Sequence, residues 1–362
     1  MNLRERVLAV LNGNEPDCVP WLGDLDYWIS ALRDKGNLPQ KYQGDGIFQL
    51  HRDLGVGFYL QGYFPFKTVN ENVQIEVKTQ RGLRTTLVKT PVGAISATEK
   101  YLADSSCWAY EDHFVKSWRD LKPLRYWYEH MQFSPDYDTA RRRYDLVGDN
   151  GLVLCYLPKS PLMELVALDA GIEAVTYALV DAPEEFEETI KVLGIKADEA
   201  ARIALNSPAE CLMIPENLSS EVVGKKLYNR FMRPYDERWT SAIHEAGKYA
   251  FVHMDGTLGG LIAEVASTGF DVLEALTPSP VGDLSVQEMR NKVGDKTIIW
   301  GGIPGLFFTD IVSDDEFDNF VVMILSIMKE GKGYVLGVAD QVPPGASWSR
   351  IKRVSDLVEK YG

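Results

Sequence analysis

Short, nearly continuous apolar runs recur along the chain, separated by longer stretches in which apolar residues return at helical spacing. The runs are Val19–Gly23, Val56–Leu60, Leu152–Leu157, Cys211–Pro215, Tyr249–Met254, Phe270–Ala275, Thr297–Gly302 and Gly333–Val338. Parallel strands covered on both faces have this character, whereas half-exposed strands alternate between apolar and polar positions. The intervening stretches carry helix-start signals. Ala182-Pro183-Glu184-Glu185 leads into a helix towards Asn206, and Ser219-Ser220-Glu221 and Ser313-Asp314-Asp315-Glu316 read as further openings. Leu3 to Leu11 reads as a short amphipathic helix. Eight strands alternating with helices predict an α/β fold, a single (β/α)8 TIM barrel spanning residues 1–362. No GxGxxG follows a strand, which argues against dinucleotide binding, and Gly256–Gly260 (GTLGG) reads as a tight turn into a helix.

One region breaks the repeat. Between Val73 and Lys100 the pattern is that of a β-hairpin, with Arg81-Gly82 and Thr90-Pro91-Val92-Gly93 as turns. An aromatic, charged stretch from Trp108 to Tyr137 follows. Together they predict an insertion of about residues 72–150 in the second βα connection, serving as a lid or a docking surface.

Charge and composition narrow the partners. Lys plus Arg total 38 against 52 for Asp plus Glu, a formal net charge of −14, which disfavours nucleic acid. No apolar run reaches the roughly 20 residues that span a bilayer, and the opening MNLRERVLAVLNG lacks the features of a secretory signal. The expected location is the cytoplasm. Cys18, Cys107, Cys155 and Cys211 form no CxxC pair, so neither a zinc ribbon nor a redox motif is expected.

In a (β/α)8 barrel the active site lies at the C-terminal ends of the strands, so the residues closing each predicted strand are the candidates. They are polar and mostly acidic: Asp24 and Asp26, Glu216 and Asn217, His253 and Asp255, Glu274, and Asp340. Any one of them alone reads as a helix cap or a solvated loop residue. Several carboxylates around one mouth repel unless protonated, paired or bound to a cation. With a histidine among them, mixed nitrogen and oxygen ligation of a divalent metal, zinc, is expected. Aromatic residues near the same mouth, Trp21, Tyr27, Tyr63 and Phe64 among them, suit the wall of a pocket for a flat, apolar substrate. His51, His113, His130 and His244 fall in helical or insertion segments, with the surface as the default place for His244.

Four segments carry a family resemblance: RERVLAVLNGNEPDCVP, FVHMDGTLGGLIAEVASTGFDVLEALTPSPVGDL, WGGIP and GVADQVPP. With them the chain resembles the uroporphyrinogen decarboxylase superfamily, in its corrinoid-dependent methyltransferase branch. The resemblance implies a single barrel and zinc. Members that methylate a thiol use a His-x-Cys pair and a later Cys before a Pro-Pro-like turn. Here those places read His253-Met254-Asp255 and Asp340 before Val342-Pro343-Pro344, so both cysteines are replaced by aspartate. Glu274 matches a position where relatives present a further carboxylate.

The resemblance therefore makes His253, Glu274 and Asp340 the first metal candidates. Asp255 and Glu216 follow as ligand or acid/base, Asp24 joins them as a catalytic candidate, and Asp24 and Asp26 orient substrate. Asn217 joins Trp21, Asp26, Tyr27, Tyr63 and Phe64 in the expected substrate pocket. A site without sulfur ligands is hard and polarises oxygen. That favours demethylation of a methyl ether, with an aryl methyl ether as the expected donor and the metal or an acid taking the developing oxyanion. No Asp-x-His-x-x-Gly motif occurs, so the corrinoid is expected on a separate protein. True uroporphyrinogen decarboxylation is disfavoured, because Trp21–Leu32, where the family's arginine motif would fall, contains no arginine. The alternatives are methylation of a thiol or other acceptor from methylcorrinoid, a metal-free decarboxylase or lyase, and a non-catalytic binding barrel.

Overall fold

The structure, a computed structural model, describes the chain except residues 60–61 and 329–332. The last residue of the second expected strand, Leu60, thus lies outside the described residues.

The chain opens on the helix Leu3–Leu11, where Asn2 and Glu5 form a reciprocal capping box. Its strands then pair in parallel. Cys211–Leu218, Tyr249–Met254, Val272–Leu276, Ile298–Pro304 and Tyr334–Ala339 follow one another across a sheet that begins with Leu154–Tyr156. Phe58–Tyr59 pairs with Gly151–Leu152, which Val153 joins to the first strand of that sheet. The circuit is completed by two single bridges, Trp21 with Leu336 and Leu22 with Gly57. Backbone bonds from Leu22 N to Leu336 O (3.0 Å) and from Gly57 N to Trp21 O (2.9 Å) hold them. The eight expected runs therefore stand in the cyclic order of a (β/α)8 barrel, with its thinnest seams on either side of the first strand.

Close approach requires glycine both between the second and third strands and beside the first. A Cβ on Gly151 would lie 1.7 Å from the Phe58 carbonyl oxygen, and one on Gly57 would lie 2.4 Å from Leu22. The barrel interior is apolar and aromatic: Trp300 is fully buried between Tyr59 and Phe251, with ring centroids 4.8 and 5.6 Å away.

The helices Pro183–Leu205 and Asp314–Met328 begin where expected, with Pro and acids in the first turn of one and a Ser313–Glu316 reciprocal cap on the other. The opening expected at Ser219–Glu221 is a turn instead, and the next helical residues are Lys225–Leu227. The hydroxyls there are used elsewhere. Ser220 Oγ donates to Thr257 O at 3.0 Å and Ser219 Oγ meets Thr257 Oγ1 at 3.0 Å, so they tie two loops of the mouth together rather than cap a helix.

The departure from the repeat is an antiparallel excursion between the second and third strands. Phe66–Asn70 pairs with Met131–Pro135, and Gln74–Gln80, Leu83–Thr90, Gly93–Leu102 and Cys107–Asp112 form a four-stranded meander. Arg81 and Gly82 both take positive φ, 53° and 76°, as a two-residue hairpin turn matching strand twist demands. Val88, Ile95 and Ala97 are buried on the face towards the helix Leu121–Glu129.

Candidate functional site

Three side chains from three strands meet inside the mouth. His253 and Glu274 are register partners on the fifth and sixth strands, and His253 Nδ1 lies 2.6 Å from Glu274 Oε2. Tyr59, on the second strand, donates its hydroxyl to Glu274 Oε1 at 2.8 Å. With both carboxylate oxygens accepting, the imidazole proton belongs on Nδ1 and the Nε2 edge is left for the mouth. That edge faces Asp340 Oδ1 at 3.8 Å. Burial alone would lower the His253 pKa, but Glu274, by charge and hydrogen bond, outweighs it together with Asp255 and Asp340 and raises it to about 9. With a pKa of about 9 the ring is protonated at neutral pH, its Nε2 edge towards Asp340.

Around it burial raises the pKa of four carboxyls. Asp24 is buried, accepts the Asp26 N–H at 2.8 Å through Oδ1, and leaves Oδ2 buried without a hydrogen-bond partner among the described residues. Burial, then Asp26, then Glu274 and Asp340 hold its carboxyl well above the usual range. Burial also raises Asp26, against the pull of Arg143 and Arg33, and raises Asp340 against the pull of His253. Glu216, fully buried, accepts the Ser160 N–H at 3.0 Å, and its Oε2 is likewise without a partner among the described residues. Burial pushes it up to about 7 despite the nearby Lys159.

Lys159 is a residue that sequence reasoning missed. It follows the third strand, donates to Pro215 O and, at 3.2 Å, to Asn217 Oδ1, and burial lowers its pKa. The strand-end criterion, applied to Leu157-Pro158-Lys159, would have found it. Tyr59 was missed because a tyrosine within an apolar run reads as core. Strain also gathers here. Asn217, Ala275 and Asp340, at the ends of the fourth, sixth and eighth strands, take positive φ of 53°, 68° and 68°. Asn and Asp tolerate that region, whereas Ala275 does not do so readily.

The expected zinc triad does not converge. Both Glu274 oxygens are engaged by His253 and Tyr59, so the carboxylate orients the histidine from behind instead of sharing a metal with it. His253 Nε2 and Asp340 remain as a facing pair, and among the described residues no three His, Cys, Asp or Glu side chains form a group that could hold a metal ion. A tetrahedral zinc site takes three protein ligands or more, so this donor set does not fit one. Asp255 reaches His253 through its charge, and its backbone N–H bonds Leu218 O at 3.2 Å.

The expected pocket is divided. Trp21 is not part of it: its ring is 1% exposed, under Gly23 and stacked on Phe308, because the first strand turns this side chain into the core. Tyr27 is half-buried beside Ser105 and Cys107 of the excursion. Tyr63 donates to Asp136 O, and Asn217 serves Lys159. Phe64 does line a cavity of about 370 Å³, together with Phe66, Phe114, Trp127, Phe133 and Lys159. In its wall the Tyr128 hydroxyl lies 3.1 Å from Glu164 and 2.8 Å from Asp169. The aromatic chamber thus lies between the excursion and the third-strand side of the barrel, with Lys159 at the junction to the carboxyl cluster.

The uroporphyrinogen decarboxylase (URO-D) family profile matches residues 162–361, more than half of the chain. No curated protein matches it. Among solved structures, a methyltransferase from Methanosarcina mazei superposes with a TM-score of 0.64 at 12% identity, over 100% of this chain and 99% of that one. At that identity the likeness speaks to the fold. A GH18 chitinase from Flavobacterium johnsoniae overlaps 64% of this chain and 82% of its own at 10% identity, with a TM-score of 0.37, too loose to bear on either fold or function.

Proposed function

Because the chain belongs to the uroporphyrinogen decarboxylase family, and its mouth presents a proton on a buried, carboxylate-held imidazole, we propose that it is a methyltransferase taking methyl from an oxygen. The donor in this reading is a methoxylated small molecule, an aryl methyl ether, and the acceptor is the corrinoid of a separate protein. The likeness of the whole chain to a methyltransferase supports the reaction class. The observation that carries the mechanism is the Tyr59–Glu274–His253 relay.

An ether oxygen is a poor leaving group because charge develops on it as the C–O bond breaks, so an acid held at that oxygen lowers the barrier. His253 Nε2–H supplies the proton: the electron pair of the C–O bond goes to oxygen, the proton follows, and a phenol leaves. Glu274 stabilises the imidazolium and fixes its plane, and Tyr59 fixes Glu274. Asp24, whose carboxyl burial holds well above the usual range, is placed as a second proton donor to the substrate. The reduced corrinoid, when its protein is docked, supplies the cobalt nucleophile that receives the methyl group. This assignment takes the acid in place of the Lewis-acid zinc, for which the ligands do not converge.

The test is methyl transfer from methoxybenzenes to chemically reduced cobalamin in excess, followed by the absorbance of methylcobalamin, with elemental analysis of the same protein. Activity with less than one zinc per chain, falling about 100-fold or more in His253→Ala, is expected. One zinc per chain, lost in that variant, would restore the metal mechanism. Methylation of thiols from methylcobalamin with no demethylation of any ether would overturn the proposed direction and donor.

A further inference from the structure

We propose that Gln74–Gln80 is the strand through which two copies of this chain pair, antiparallel about a twofold axis at Val77. It is an edge of the four-stranded meander, next only to Leu83–Thr90 among the described residues, and all seven of its residues are exposed. A long open edge presents a row of unpaired N–H and C=O groups, a template for another strand. Its apolar residues are also uncovered: Ile75 is 37% and Val77 58% exposed. They lie on the face whose neighbour opposite Ile75, Val88, is completely buried.

The residue order argues that the occupant is a second copy. The strand reads Gln-Ile-Glu-Val-Lys-Thr-Gln. Laid antiparallel on itself about Val77, it sets Gln74 against Gln80, Ile75 against Thr79, Glu76 against Lys78, and Val77 against its own copy. One face of the paired strands is then β-branched throughout, and the other is polar, with two opposite-charge pairs directly across from one another. A lone lysine on an edge keeps strangers away; a glutamate two residues before it makes the same strand, reversed, the complementary partner. Twofold symmetry requires this self-complementarity of an isologous contact. Glu76 already pairs with Lys89 on the neighbouring strand, so the partner's Lys78 would extend a charge ladder instead of breaking one.

Sedimentation velocity of the full chain over a concentration series tests this. A monomer–dimer equilibrium is expected. Lys78→Glu sets two carboxylate pairs face to face and Glu76→Lys sets two ammonium pairs face to face, each weakening self-association by about tenfold or more. Both sites are exposed, and circular dichroism verifies that the variants fold. An equimolar mixture of the two variants restores opposite charges at both pairs, so a mixed dimer is expected to return. A wild type monomeric throughout, a dimer that neither substitution weakens, or a mixture that fails to reassociate would each overturn the proposal.

Discussion

At the level of single residues, the site turns on how burial and charge oppose each other at His253. Burial favours the neutral ring, and the Glu274 charge behind it wins. If the imidazolium is the acid, activity is retained below its pKa and lost as pH rises through about 9. Replacing Glu274 by Gln removes the leading influence that raises that pKa and leaves the burial that lowers it. In Glu274→Gln the alkaline limb of the pH–rate profile is therefore expected to move down by two units or so. An unmoved limb would mean that His253 is not the group being titrated. Tyr59→Phe keeps the ring against Trp300 but removes the hydroxyl that donates to Glu274 Oε1 inside the barrel. A loss of roughly 1–3 kcal/mol in denaturant-measured stability is expected for losing a hydrogen bond to a buried carboxylate.

Among the elements, the first strand is the weak joint. Among the described residues it meets each neighbour through a single bridge, whereas the seventh and eighth strands pair along six positions. The next joint, between the second and third strands, is also short but close at Gly151, where the Phe58 carbonyl occupies the place in which a Cβ would stand. Gly151→Ala must therefore push the second and third strands apart, and a drop in thermal midpoint well beyond that of Gly36→Ala is expected. At Gly36 nothing lies within 4 Å, and the cost is only that of its positive φ, 69°, about 1 kcal/mol. Comparable midpoints for the two variants would show that the seam is not under close contact. Strand positions and most helix starts were readable because continuous apolar runs and Pro or Ser caps are local signals. The Ser219–Glu221 turn was misread because its hydroxyls bond Thr257, 37 or 38 residues on, and local pattern carries no trace of that partner.

Over the whole molecule, proton uptake on folding sets the pH response. Asp24, Asp236, Asp169 and Glu216 are buried with raised pKa values, Glu216 to about 7. The folded state then binds protons that the unfolded chain has released above about pH 4. Their contribution to stability is present below that pH and lost as pH rises through the folded values. His253 adds stability present below about pH 6.5 and lost through about 9. His51, lowered to about 4 by burial, works the other way, adding stability above its unfolded value that is lost as pH falls through 4. Self-repulsion in a chain of net charge −14 adds to the alkaline loss. The thermal midpoint is expected to be lower at pH 9 than at pH 6, with salt recovering only the part due to surface repulsion. A midpoint that rises between those values would contradict the raised pKa values of the buried acids.

The sequence by itself determined the barrel order, the place of the excursion between second and third strands, and the ring of strand-end residues in which His253, Glu274, Asp340, Asp24 and Glu216 were named. Those follow from periodicity, turn chemistry and the rule that barrels work at their C-terminal ends, all of which are written locally along the chain. Only the tertiary structure decided how the named residues are used. Glu274 bonds the far side of His253, Trp21 points into the core, Tyr59 and Lys159 join the site, and the aromatic chamber forms around Phe64 and not around Trp21. Each of these depends on which way a side chain turns and what distant residue it meets, and that is set by strand register and packing between segments far apart in the chain.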